Sequence, residues 1–499
     1  MDFAAGAPAA VEAILAGPRR AVQRSVRVES CRLGRRARRR PGAEISVIVM
    51  KFGGTSVGVP AHFEVAIRLV AERRGRDPVV VVSALSGVTN LLVELCRHPE
   101  ARAALEQRLA ERHLGFARDV ALPRAAVEPA LEHFSADARA VRLDPLPLHG
   151  AARDRMLAHG ERLAAALFAA GLERAGVPAR ARDAGEAGLV TDERFGAAHP
   201  LPESAPLLRD GLRDRPPVPV VTGFLGRTRE GVTTTLGRGG SDYSAALIGA
   251  ALGAEEIQIW TDTSGLLSAD PRIVPEARPV PRLSFAEASE LAYFGARVLH
   301  PKTLLPAIER RIPVRVLNTT CPGDPGSLVT GEAAPTDDPW RVKSIACKKG
   351  ITAVTIVSTR MLLAHGFLAR VFEVFGRHHV VVDLVTTSEV SISVTVDDPA
   401  ALAPALDDLA AIGEVEVKRG LAVVAVVGEE APRRVGLAGH LFTLVGGVGV
   451  AVEMISQGAS RVNLSFVVRE DDADRVVRLL HRGLGLDAEV TARAESRDG

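Results

Sequence analysis

Five short apolar runs constrain this chain more than any other feature. They are ISVIV (45–49), PVVVVSAL (78–85), PVPVVTGFLG (217–226), EEIQIWTD (255–262) and IPVRVLN (312–318). They read as continuous strands buried on both faces, the condition of a largely parallel sheet. Helix-like Ala/Leu/Arg stretches lie between them, at 60–75, 100–140, 151–175 and 241–252. Strand–helix alternation of this kind predicts an α/β layered domain. Ligands of such sheets sit at the carboxyl ends of the strands, and the polar and glycine-rich motifs of this chain fall at those ends.

With 499 residues the chain exceeds a single core, and about two to four domains are expected. A net charge of +2 favours neither a nucleic-acid binder nor an acidic tail. The charge is uneven, since residues 1–45 hold ten arginines against four acids. That segment reads as a disordered basic tail or a start placed too early, with a transit peptide as the alternative. Cys31, Cys96, Cys321 and Cys347 have no metal-like spacing and suit a reducing compartment. The most apolar stretch, 440–455, is interrupted by three glycines. No membrane and no nucleic acid are therefore expected, and the cytoplasm is the default compartment.

Four stretches carry the chemistry. In KFGGTS (51–56) a lysine, two glycines and two hydroxyls follow a strand. This is no Walker A loop, and alone it reads more readily as a tight turn with a solvated lysine than as an anion site. In LGRGGSDYSAAL (236–247) a glycine-rich turn enters an Ala-rich helix. A helix N-terminus binds anions, and Arg238 adds a two-pronged grip, the alternative being that Ser241 or Asp242 only caps the helix. IWTDTSGLLSADPR (259–272) delivers Thr261 and Asp262 to a strand end and carries Arg272, which suits a nucleotide with Mg²⁺. In LAHGERLAAALF (157–168), Glu161 starts a helix pattern. Together they imply phosphoryl transfer from a nucleotide to a small anionic acceptor, a reaction that needs mainly positioning and charge neutralisation.

After the turn-rich stretch 321–339 the pattern changes. FLARVFEVFGRHHVVVDLVTTSEVSISVTV (367–396) parallels HLFTLVGGVGVAVEMISQGASRVNLSFVV (440–468), with Asp383 and Glu453 in matching places. Each copy reads as helix, strand, turn and strand, which predicts two small paired α/β modules.

VMKFGGTSVG, GFLGRTREGVTTTLGRGGSDYSAAL, IWTDTSGLLSADPR and AYFGARVLHPKTLLPA, in this order, resemble the aspartate kinases. The resemblance covers about 47–490. It implies an amino-acid-kinase three-layer αβα sandwich with a mostly parallel sheet, followed by two ferredoxin-like ACT modules. The implied division is a tail at 1–45, a catalytic domain at 46–330, a linker at 331–341, a regulatory region at 342–490 and a tail at 491–499. The inner module falls at 358–418 and the outer at 342–357 plus 419–490.

The implied reaction phosphorylates the β-carboxylate of L-aspartate with ATP and Mg²⁺, without protein ligands to the metal. By carry-over Lys51, with Gly53 and Gly54, faces the transferring phosphoryl group, and Arg238 grips the substrate α-carboxylate. Glu161 and Asp242 receive its ammonium, and Thr55, Ser56 and Thr89 line the acceptor site. Ser241, Thr261, Asp262, Arg272 and Arg297 hold the nucleotide. Arg297 stands where relatives often have Lys, and Leu267 where they often have Tyr.

The resemblance extends to lysine-sensitive members, in which lysine binds between ACT modules of two subunits. Met361, Gly366, Phe367, Leu368, Asp383, Thr387, Ser388 and Glu389 match that site. This implies L-lysine as effector, with threonine, another effector or none as alternatives, and a homodimer or dimer of dimers. Two rival readings remain: an inactive amino-acid sensor on a kinase scaffold, and a kinase of the same fold with another acceptor.

Overall fold

A computed structural model describes residues 47–487 apart from 143, 215–216, 296–300, 333–338, 362–364, 398 and 458–460. The basic tail, Cys31, Arg297 and the segment 491–499 lie outside the described residues.

The expected strands form. β1 (Ile48–Phe52), β2 (Pro78–Val82), β3 (Ala179–Arg182), β4 (Val218–Thr222), β7 (Glu256–Thr261), β8 (Arg282–Ser284), β9 (Val314–Asn318) and β10 (Ser327–Thr330) make one sheet. β5 (Leu225–Arg227) and β6 (Thr233–Thr235) form a separate hairpin. The sheet order is β3-β4-β2-β1-β7-β9-β10-β8. From β3 to β9 every pairing is parallel, and β10 runs antiparallel to β9.

Successive side chains of β1 serve opposite faces. Ile48, Met50 and Phe52 pack with Val80, Val82 and the helices Pro60–Glu72, Val88–Arg97 and His159–Arg174. Val49 packs on the other face with Val79, Val81, Ile257, Ile259 and the helices Gly240–Leu252 and Pro301–Arg310. This is the three-layer sandwich expected from doubly buried strands. Lys51 follows the register of Val49 and faces the Gly240–Leu252 side. The expected helix-like stretch 100–140 is two helices, Arg102–Asp119 and Glu128–Val141. Ala121 between them has φ 51°, which no right-handed helix continues through, and Pro123 follows.

The C-terminal region is one antiparallel sheet of β11 (Ser344–Val357), β12 (Val382–Thr387), β13 (Ser391–Val396), β14 (Glu414–Val427), β15 (Met454–Ser456) and β16 (Asn463–Arg469). Its order is β12-β13-β11-β14-β16-β15. The repeat appears as helix Phe367–Arg377 leading to β12 and β13, and helix Leu437–Gly447 leading to β15 and β16. It carries matched ion pairs: Lys348 Nζ is 3.1 Å from Asp383 Oδ2, and Lys418 Nζ is 2.5 Å from Glu453 Oε2. The halves do not divide at 357/358, which is where β11 ends. β11 runs through both, with Ile345 in the core beside helix Leu437–Gly447 and Val354 and Ile356 in the core beside helix Phe367–Arg377.

β11 also bonds to the segment after β7. The Ile345 N–H donates to Ser268 O (2.9 Å), and Ser344 Oγ donates to Leu267 O (2.8 Å). Glu287, fully buried, is joined to Lys343 Nζ (2.7 Å) and accepts from the Glu429 N–H (2.7 Å). No described helix is long and apolar enough to cross a membrane.

Candidate active site

The carboxyl ends of β1, β2 and β4 and the start of helix Gly240–Leu252 enclose a cavity of about 350 Å³. Lys51, Thr89, Glu161, Ser241 and Asp242 all line it, together with Gly54, Phe224 and the turn glycines Gly237 and Gly239. Residues up to 191 positions apart in sequence thus share one concave surface.

The walls are tight because two backbones touch. A Cβ on Gly58 would lie 2.5 Å from the Ser86 backbone nitrogen, so the segment after β1 can lie against the segment after β2 only with glycine there. On the opposite wall Gly237 and Gly239 have φ 78° and 72°, and Arg238 between them is exposed. Neither Ser241 nor Asp242 caps the helix. The N-cap is Gly239, with no side-chain capping bond. Capping therefore does not explain why these two residues stand here, and both face the cavity.

The electrostatics centre on three groups. Lys51 Nζ lies 2.6 Å from Asp242 Oδ1, and both side chains are largely buried. Glu161, 4% exposed, accepts the Ala84 N–H at 3.1 Å. Burial pushes its carboxyl up to about 8, against the pull of that N–H, of its own backbone N–H and of the Lys51 charge. A cation brought into the cavity meets one carboxylate already paired and one carboxyl that ionises readily only when a charge arrives.

Other candidates are placed differently. The Gly53 N–H is taken by Trp260 O (3.0 Å) and is not offered to an anion. Ser56 is buried and tied to Thr319 Oγ1 (2.8 Å) and Trp260 O (3.3 Å), outside the cavity lining. The Thr55 carbonyl meets His62 Nδ1 (3.2 Å). Thr261 and Asp262 stand at the end of β7, with Thr261 Oγ1 donating to Asp262 Oδ1 (3.2 Å). Arg272 is exposed and paired with Asp270, Nε to Oδ1 at 2.9 Å. It lines a second cavity of about 310 Å³ with Thr263, Leu267 and the β11 residues Ser344–Cys347. Arg297 lies outside the described residues.

Sequence reasoning missed Phe224, Asp154 and Tyr293. Phe224 lines the main cavity with φ 67°, an unusual conformation for a non-glycine residue that no pattern announces. Asp154 and Tyr293 act through partners far along the chain.

The amino acid kinase family profile matches residues 46–318, and an ACT domain profile matches 354–404 and 424–484. The lysine-sensitive aspartokinase 3 of Escherichia coli is 38% identical over 465 residues, 88% of this chain and 99% of that protein. The chloroplastic aspartokinase 1 of Arabidopsis thaliana is 38% identical over 456 residues, 87% of this chain and 79% of that protein. The chain belongs to the aspartokinases.

Solved structures of E. coli aspartokinase III are similar throughout. The complex with aspartate and ADP (R-state) gives a TM-score of 0.77, with 36% identity, 88% of this chain and all of that chain covered. The complex with lysine and aspartate (T-state) gives 0.70, with 36% identity, 88% of this chain and 99% of that chain covered. As an aspartokinase the chain is a kinase, with the three-layer fold and the C-terminal ACT region that its sequence implied.

In this aspartokinase the candidate effector residues fall at the mouth of the first repeat. Gly366, with φ 75°, caps helix Phe367–Arg377, Phe367 is buried and Leu368 exposed. Met361 ends a short turn before it. Thr387 closes β12, and Ser388 with exposed Glu389 forms the β12–β13 turn, where Ser388 Oγ meets Ser391 Oγ (2.7 Å). The Asp383 carboxylate is turned inward. It accepts from Lys348 Nζ (3.1 Å) and from the hydroxyl of Tyr293, the last residue of helix Phe285–Tyr293. Burial, with Asp397 alongside, pushes the Asp383 carboxyl up to about 8.

Proposed function

We propose that this chain transfers the γ-phosphoryl group of ATP to the β-carboxylate of L-aspartate, giving ADP and 4-phospho-L-aspartate. The observation that carries this reading is the single cavity shared by Lys51, Glu161, Ser241 and Asp242. The names of the relatives and the aspartate and ADP bound to the E. coli enzyme support it.

A β-carboxylate oxygen attacks the γ-phosphorus as the bond to the β,γ-bridging oxygen breaks, and ADP carries away the electron pair. The acceptor is already ionised at neutral pH, so no general base is required. This fits a site whose carboxyl groups face a lysine and an N–H rather than a nucleophile. Lys51 stabilises charge on the transferring group. Glu161 and Asp242 receive the ammonium, Arg238 the α-carboxylate, and Thr89 borders the acceptor. Ser241, Thr261, Asp262 and Arg272 hold the nucleotide. Mg²⁺, bound with the nucleotide, would neutralise phosphate charge.

The same reading divides the chain into a catalytic part at 46–330, a linker at 331–341 and a regulatory region at 342–490. L-lysine inhibits from the ACT region of a homodimer or a dimer of dimers, by binding an inactive arrangement more tightly. The lysine-bound E. coli structure supports this. The reaction opens the route to lysine, threonine and methionine. The compartment is the cytoplasm, or a plastid if residues 1–45 are a transit peptide.

Acyl-phosphate trapped as hydroxamate tests the reading, with L-aspartate, L-glutamate or no acceptor, each with and without millimolar lysine. The expected product depends on aspartate and falls with lysine. Product unaffected by lysine keeps the kinase and removes the effector. Folded protein that binds lysine but forms no product overturns the reading in favour of an inactive sensor.

A further inference from the structure

Asp154 lies outside the active-site cavity yet is 1% exposed, on the helix Gly150–Leu157. Its Oδ2 accepts two backbone N–H groups, from Gly196 (2.8 Å) and from Thr235 (2.7 Å). These donors are 42 and 81 residues along the chain. Its Oδ1 is buried without a protein partner. A buried carboxylate on two backbone donors is a costly feature, and it persists where the held segments must keep one geometry.

The held segments are the two flanks of the turn that carries Arg238. Thr235 ends β6, and Gly237 follows two residues later. The 192–199 loop packs on that turn, since a Cβ on Gly237 would meet Gly196 O at 3.0 Å. The same loop pairs with β6 through the Ala198 N–H to Thr235 O (2.9 Å). The Asp154 helix also continues almost directly into helix His159–Arg174, which carries Glu161. A second tie repeats the connection: Arg162, beside Glu161, donates to Thr233 Oγ1 on β6 (3.2 Å). β6 is thus fastened at one end to the helix that presents Glu161 and at the other to the helix that leads into it.

We propose that Asp154 is a positioning residue for acceptor binding. It fixes the Gly237–Gly240 turn at a set distance from Glu161, so that the guanidinium of Arg238 and the Glu161 carboxyl meet the two ends of one α-amino acid. The inference rests on the reading that Arg238 grips the α-carboxylate. It assigns Asp154 no contact with acceptor or nucleotide.

The test is steady-state kinetics of the full chain carrying Asp154→Asn, Arg238→Ala and the pair, with aspartate and ATP varied separately. Asn keeps one acceptor oxygen but loses the charge. The expected result is an aspartate KM raised about tenfold by Asp154→Asn, with the ATP KM within about twofold of the parent, the scale of a weakened charged contact. In the Arg238→Ala background the same change is expected to add little, because its effect is already lost. A purely structural role would lower the amount of active enzyme and leave the KM ratio unmoved. An unchanged aspartate KM in Asp154→Asn, or a full additive effect in the double variant, overturns the proposal while Arg238 keeps its role. If Arg238→Ala leaves the aspartate KM unchanged, the reading of the turn itself fails, and the proposal falls with it. If the asparagine variant does not fold, Asp154→Glu carries the same test, since it keeps the charge and displaces it by one methylene.

Discussion

Lys51 and Asp242 meet at 2.6 Å inside the cavity, one from the end of β1 and the other from the first turn of helix Gly240–Leu252. The pairing holds a buried ammonium in place before any phosphate arrives. It also makes each residue answerable for the other's charge.

Replacing Lys51 by Met therefore removes the cation that faces the transferred group. The expected kcat falls by about 10²–10³-fold, the range for one lost electrostatic stabiliser. Asp242→Asn leaves Lys51 buried with a neutral neighbour and is expected to cost about 3 kcal/mol of stability. Hydroxamate formation and urea denaturation, run on both variants, check the two magnitudes.

Glu161 gives a pH signature. Its folded carboxyl is raised by burial from 4.5 to about 8, so between those values the folded state binds a proton that the unfolded state releases. Stability contributed by this group is full below about pH 4.5 and declines as pH rises through 8. Glu161→Gln is expected to flatten that decline in a melting-temperature series. In the parent, an ammonium drawn to Glu161 expels its proton. Calorimetry of aspartate binding in buffers of different ionisation enthalpy should register proton release near pH 7, and the glutamine variant should not.

Gly58→Ala tests the contact between the segments that follow β1 and β2. The added methyl would lie 2.5 Å from the Ser86 backbone nitrogen, a clash that only backbone movement relieves. The expected loss is about 1–3 kcal/mol of stability with a marked fall in kcat, since the cavity wall itself must shift. Parent-like kcat in a folded variant would contradict the described packing.

The Asp383 carboxylate already has partners, Lys348 and the Tyr293 hydroxyl. An effector ammonium must compete with them. Tyr293→Phe removes one competitor, and lysine inhibition is expected to tighten about fivefold. Asp383→Asn removes the carboxyl that an arriving ammonium would ionise, and inhibition is expected to weaken by about tenfold or more. Inhibition curves with opposite shifts support the assignment; shifts in the same direction refute it.

The five strands at the centre of the sheet, β4, β2, β1, β7 and β9, were readable because they are apolar on both sides, as Val79–Val82 are, whereas β3 and β8 carry exposed arginines and β10 alternates, so those three did not stand out. Lys51, Glu161, Ser241 and Asp242 end a strand or open a helix, which alone suits a turn or a cap equally; it was the ordered resemblance, which also supplied Thr89, that singled them out. Ser56 and Gly53 illustrate the limit. Their residue types suit an anion site, but the Trp260 carbonyl, 204 residues from Ser56, claims both. Asp154 sits in a pattern that reads as a polar helix face, and only the chain's return through Gly196 and Thr235 buries it. The break at Ala121 and the conformation of Phe224 depend on backbone angles that these residue types seldom adopt.

β11 lies between β13 and β14, and β14 needs β16 on its other edge. During synthesis, then, Ser344–Val357 leaves the ribosome long before Asn463–Arg469 can complete its sheet. The Leu267 and Ser268 carbonyls, which take their hydrogen bonds from Ser344 and Ile345, wait with it. A nascent chain truncated before β16 would hold every residue of the main cavity, while the Leu267 and Ser268 carbonyls would rest on a sheet still missing β16. The half that is made first thus takes the bonds that hold one of its loops from the half that is made last.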